Sequence, residues 1–153
     1  MSSETIFFII VVFLCLDFVL ERVLEFLNSK YMSPVLPDSL KGIYDEKEYS
    51  RFQSYKRENG RLDSWSSGTG FVIMIVFLVL GGFGWYNSWV VSLTDSVVWQ
   101  TILFVVGLSV VSSVLDIPFD YYATFRIEEK YGFNKTTRRV YWLDTVKELV
   151  LSL

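Results

Sequence analysis

The groups in this chain that could do chemistry are carboxylates, hydroxyls and one thiol, because the sequence holds no histidine and a single cysteine, Cys15. Zinc hydrolysis needs neutral imidazoles or thiolates around the metal and a carboxylate that deprotonates the bound water. One thiol and scattered acids cannot assemble that set. A serine or cysteine nucleophile activated by histidine is excluded on the same ground. Ser112 and Ser113 invite a pairing with Lys130, but nothing in their spacing supports it, and small residues at such positions serve membrane helix packing. Gly81, Gly82 and Gly84 lack the strand and lysine of a phosphate loop and read as positions of close helix approach.

The carboxylates to weigh are Asp116, Asp120, Glu128 and Glu129, all inside the stretch DIPFDYYATFRIEEKYGFNKTTRRVYW from Asp116 to Trp142. Two readings stand side by side. In one they are interfacial: Asp116 ends a helix, and Glu128 or Glu129 pairs with Arg126 or Lys130, an arrangement worth little at a surface. In the other, Asp116 and Glu128 brace a loop that docks against a catalytic domain. Within the same stretch Gly132 supplies a turn, and Thr136 or Thr137 can cap a helix starting near Arg138. Asn134-Lys135-Thr136 also matches a glycosylation acceptor, incidental in the topology derived below. Farther upstream, Asp17, Glu21 and Glu25 recur every four residues and share one face of a helix, turned toward protein or water rather than lipid.

The elements that must position these groups are membrane helices. Of 153 residues, 52% are hydrophobic and 18% aromatic, with mean hydropathy +0.37, which points to an integral membrane protein. No charged residue lies between Asp63 and Asp95, and a helix over 69–91 is long enough for the hydrocarbon layer of about 30 Å. A second uncharged stretch leads to a span over 97–117, with a kink or helix end predicted at Asp116 and Pro118. The two form a hairpin about the turn Ser92 to Ser96, with Trp85, Trp89 and Trp99 as interfacial anchors. A first span, 5–27, starts from the apolar run Ile6 to Leu16; a cleaved signal peptide competes with it but lacks the basic leader and small-residue cleavage site. The fold class is therefore all-α, multi-pass, with about three complete spans and the start of a fourth over 138–153.

Residues 28–68 form a polar loop. Pro34 and Pro37 disfavour helix at its start, Asp45 caps a short helix, and Asn59-Gly60 reads as its stop. Seven basic residues, Lys30, Lys41, Lys47, Arg51, Lys56, Arg57 and Arg61, fall in this loop, and the remaining ones from Arg126 onward follow the third span, apart from Arg22. Basic loops stay cytoplasmic, so the N-terminus and the hairpin turn are predicted outside or in the lumen. A net charge of −3 with basic and acidic residues interleaved gives no stripe for nucleic acid.

The chain resembles the membrane front end of type I CAAX prenyl proteases, the zinc metallopeptidases also called farnesylated-protein-converting enzymes. Leu24-Glu25-Phe26-Leu27-Asn28 is similar to that family's first helix end, and the loop through Tyr49, Arg51 and Tyr55 to its first cytoplasmic loop. The most specific likeness is Asp116-Ile117-Pro118-Phe119, then Thr124-Phe125, the run Glu128 to Thr137, and finally Asp144 with Lys147. The resemblance implies a helical membrane barrel around a water-filled chamber where a zinc site cleaves peptide bonds, including that after a prenylated cysteine in eukaryotic members. Its zinc ligands and HExxH glutamate come from later helices, so none is carried onto this sequence: the chain binds no cofactor itself, and zinc belongs to the full-length enzyme.

Under this resemblance Asp17, Glu21, Asp116, Arg126, Glu128, Asn134 and Thr137 are the docking or chamber-lining residues, with no catalytic or metal-binding residue among them. The implied partners are the lipid bilayer, the catalytic C-terminal half of the same or a split enzyme, and a prenylated or membrane peptide substrate, in a bacterial inner membrane or the endoplasmic reticulum. The alternative is a non-enzymatic membrane scaffold derived from the family. The final Leu149 to Leu153 reads as the first turn of another membrane helix, and a reading frame continuing into HExxH would decide between the two.

Overall fold

In the computed structural model, which describes residues 2–37, 42–43 and 45–151, every regular element among the described residues is helical. Lys41 and the last two positions of the predicted 138–153 helix lie outside them. Helix α1, Ser3–Tyr31, has 29 residues and outruns the predicted 5–27 at both ends. Ser2 caps it, its Oγ accepting the Thr5 amide at 3.2 Å, and Lys30 in the last turn complements the helix dipole. The chain then passes Pro34 and Pro37 without helix.

Helix α2, Glu46–Val79, begins at the predicted cap: Asp45 Oδ1 accepts the amides of Lys47 at 2.8 Å and Glu48 at 3.0 Å. The predicted stop at Asn59-Gly60 is absent, and the helix runs on for 34 residues. A glycine costs a helix only about 1 kcal/mol relative to alanine. Here the same turn is held by Asn59 Nδ2 donating to Asp63 at 3.3 Å and by Ser64 Oγ donating to the Gly60 carbonyl at 2.8 Å.

The expected uninterrupted span 69–91 is broken instead. Gly81 adopts φ +72°, a conformation that ends α2, and α3 restarts over Gly82–Leu93. The glycines here thus divide their roles. Gly81 makes the turn, a side chain at Gly82 would collide with the Phe77 ring, and Gly84 faces open space, so close approach holds at Gly82 alone of the three. Helix α4, Val97–Tyr122, follows the predicted turn and contains Pro118. Of the kink or helix end expected at Asp116 and Pro118, the end is displaced to Tyr131: α4 widens into a π-helical turn, Ala123–Glu128, and closes with α5, Glu129–Tyr131. A proline removes one donor and crowds one carbonyl, and flanking turns can hold the helical path. After Gly132, at φ +73°, α6 spans Arg138–Leu151.

Two compact units divide the chain, Met1–Phe71 and Val72–Leu153. Within the first, Phe18 and Phe71 stack at 4.1 Å, and Arg57 Nη2 donates to the Met32 carbonyl at 2.9 Å. Within the second, Tyr86 joins α3 to α4: its hydroxyl donates to the Leu103 carbonyl at 2.8 Å and its ring lies 5.1 Å from Phe104. Gly107 is what admits that hydroxyl, since a Cβ there would overlap Tyr86 Oη.

Among the described residues only Leu36, Val90 and Ile127 are buried hydrophobics, while Phe8, Phe13, Phe26 and Trp85 each expose about two thirds or more of their surface. Apolar exposure on that scale has no place against water. Helix α2 and the continuous run Val97–Tyr131 are long and apolar enough to cross a membrane, and lipid is the solvent that suits them.

Candidate functional site

The second unit brings the juxtamembrane stretch together around one acidic cleft of about 380 Å³ between α4 and α6. Helix α4 contributes Ser113, Asp116, Ile117 and Asp120, spaced three and four residues apart and hence on one face; α6 contributes Tyr141, Thr145 and Glu148 by the same rule. Tyr141 is the hinge of the contact. Its hydroxyl donates to the Ile117 carbonyl at 3.3 Å, and its ring meets Tyr121 and Phe125 edge-on at 5.5 Å and 5.4 Å. Tyr121 in turn lies 4.7 Å from Phe125 and 6.2 Å from Trp142.

The turn that aims α6 at α4 is made by backbone. The Glu128 carbonyl accepts the amides of Phe133 at 2.8 Å and Asn134 at 3.3 Å, and the Glu129 carbonyl accepts Gly132 at 3.1 Å, a left-handed helix stop that favours glycine. Asn134 Oδ1 then accepts the Thr136 amide at 2.6 Å, and Thr137 Oγ1 accepts the Val140 amide at 3.3 Å, which makes Thr137 the cap of α6. Glu128, Asn134 and Thr137 are therefore one connection. Asp116 stands in the cleft, and Arg126 is exposed on the π-helical turn.

Asp17 and Glu21 belong to the other unit, both exposed on α1, with Glu21 Oε2 3.9 Å from Arg22 Nη2. The same acidic face continues to Glu25, which takes Arg22 Nη1 at 2.8 Å and the Ser64 hydroxyl at 2.9 Å. Sequence reasoning missed Tyr141 and Gly107. The first was one aromatic among many, and the second shows its role only when Tyr86 is seen against it.

The donors present do not fit a zinc site: the chain has no imidazole, and among the described residues no three acids or thiols converge on a point that could hold a metal ion. The arrangement can position helices and present carboxylates to water.

Residues 25–153 match the family described as CAAX prenyl protease N-terminal, five membrane helices. The chain belongs to that family. Among its relatives, the probable CAAX prenyl protease 1 of Schizosaccharomyces pombe is 34% identical over 125 residues, which covers 70% of this chain and 25% of that protein. The CAAX prenyl protease 1 homolog of Caenorhabditis elegans is 29% identical over 121 residues, covering 75% and 25% respectively. The crystal structure of S. mikatae Ste24p superposes with a TM-score of 0.81 at 29% identity, covering 95% of this chain and 36% of that one. The chain thus spans about a quarter of the length of these curated relatives. Its described residues are all helical, in keeping with a family of membrane helices.

Proposed function

We propose that this chain forms part of the substrate chamber of a CAAX-type zinc metalloendopeptidase that processes prenylated or membrane peptides, and that it is not catalytic by itself. The observation that carries this reading is the match of residues 25–153 to the N-terminal family together with the absence of any histidine. Zinc and the glutamate that activates water would then reside in a C-terminal catalytic part, and this chain would supply wall and docking surface. A chamber is what the chemistry asks for, because hydrolysis needs water and ionised ligands while a lipidated substrate arrives from the bilayer. Asp17 and Glu21 on α1 are the acids the first unit would offer to water, and Asp116 in the cleft between α4 and α6 the one the second unit would offer. Arg126, Glu128, Asn134 and Thr137 would present the turn to the catalytic part.

The topology that accompanies this reading has the N-terminus and the turn after α3 outside or in the lumen, with the polar segment before α2's apolar half and the turn at Gly132 in the cytoplasm. Its support is the placement of lysine and arginine, which are missing from residues 1–21 and 62–125.

Co-expression with the HExxH-bearing C-terminal region of a close relative tests the proposal. A co-purifying complex with chelator-sensitive peptidase activity is the expected result. Failure to co-purify would instead favour an independent membrane scaffold.

A further inference from the structure

The first unit holds a second cavity, about 350 Å³, between the latter half of α1 and the polar half of α2. Its wall carries Arg22, Lys56, Arg57 and Arg61 against two acids, Glu25 and Asp63. The acids are already engaged. Glu25 receives Arg22 and the Ser64 hydroxyl, and Asp63 receives the Asn59 amide at 3.3 Å. The three cations of α2 are not matched in this way. Arg57 gives its Nη2 to the Met32 carbonyl, Lys56 Nζ stands 5.4 Å over the Phe52 ring, and Arg61 makes no ion pair among the described residues. On the α1 side, Arg22 Nε is buried without a hydrogen-bond acceptor. The cavity is thus a cationic recess short of anionic oxygen.

A second feature says where the anion comes from. Arg57, Arg61 and Trp65 follow one another at four-residue spacing and share a face of α2. Arg61 and Ser64 also line an adjoining recess with Trp65, which is 74% exposed. An exposed indole just ahead of an apolar segment marks the headgroup level of a bilayer. At 1.5 Å per residue, Arg61 lies about 6 Å and Arg57 about 12 Å along α2 from Trp65 toward its polar end, and basic pockets between membrane helices take lipid headgroups.

We propose that this recess binds the phosphate of an anionic membrane lipid, with Arg57 and Arg61 holding its oxygens, Lys56 adding charge, and Trp65 lying against the glycerol ester region. The guanidinium fork suits two phosphate oxygens at once, which a lysine at the same position cannot reproduce. Free phosphate would use the arginines but gain nothing from Trp65.

The full chain in neutral detergent, titrated with a short-chain phosphatidylglycerol, a short-chain phosphatidylcholine and inorganic phosphate, gives the test through the shift in its thermal unfolding midpoint. Phosphatidylglycerol is expected to raise the midpoint at the lowest concentration. Arg61→Gln should weaken its half-saturating concentration roughly fivefold, and Lys56→Gln/Arg57→Gln/Arg61→Gln more than about tenfold, from the usual worth of a basic residue near a membrane surface. If the triple variant fails to fold, exposed Arg61 alone carries the readout. Lys30→Gln/Lys47→Gln/Lys135→Gln removes the same charge outside the recess and should leave binding intact. Equal loss in that control, unchanged binding in the recess variants, or inorganic phosphate acting as well as the lipid would each overturn the assignment.

Discussion

The Tyr141 hydroxyl reaches the Ile117 carbonyl across 3.3 Å, one residue before Pro118, and so fastens α6 to α4 at the point where the helix contains a proline. That bond and the aromatic cluster behind it shape the acidic cleft. Tyr141→Phe removes the bond alone and should lower the unfolding free energy of the chain in detergent by about 1 kcal/mol, the usual net worth of such a hydrogen bond. Tyr141→Ala also removes the half-buried ring and should cost more than Tyr141→Phe, about 2 kcal/mol.

Gly107 should tolerate no side chain while Tyr86 occupies its place. Gly107→Ala is expected to destabilise by about 1 to 3 kcal/mol through overpacking. Because the clash is with Tyr86 Oη, Gly107→Ala combined with Tyr86→Phe should cost clearly less than the two single changes added together.

The role of the Gly132 turn separates from its folding through Glu128 and Asn134. Glu128 holds the turn by its carbonyl, which any residue supplies, whereas Asn134 uses its side chain. Glu128→Ala should leave the melting midpoint within about 1 °C of the parent, and Asn134→Ala should cost about 1 kcal/mol. If the turn docks a catalytic part, Glu128→Ala weakens the co-expressed complex despite unchanged stability; an unaffected complex would reduce the turn to a helix connection.

The topology is checked by labelling single cysteines at Ser3 and Ser92 in a chain with Cys15→Ala. Both should react with an impermeant thiol reagent from the outer or lumenal side, and labelling from the cytoplasmic side alone would overturn the assignment. In the same preparations, metal analysis should find no stoichiometric zinc on the isolated chain.

The sequence by itself determined what local chemistry can specify. Uncharged stretches longer than a bilayer is thick gave the helical membrane class, and Asp45, Gly132 and Thr137 took the cap and turn roles their side chains suit. The lack of histidine shows that the given residues offer no imidazole ligand, a point of ligand type that does not depend on where the backbone goes. The order of residues from Asp116 to Thr137 carried the family likeness for the same reason.

Tertiary structure decided where competing local signals lost. Asn59-Gly60 reads as a stop and Gly81 as a packing residue, yet the first is absorbed into α2 and the second breaks it. Both outcomes turn on differences of about 1 kcal/mol per residue, well within reach of a few side-chain contacts. Pro118 likewise signals an end that neighbouring turns override. Which of many aromatics meets a backbone carbonyl, which glycine faces a tyrosine hydroxyl, and which arginines lack an acid are relations between residues 17 to 25 or more positions apart. No sequence pattern of period 3.6 contains them, because they exist only once two helices lie side by side.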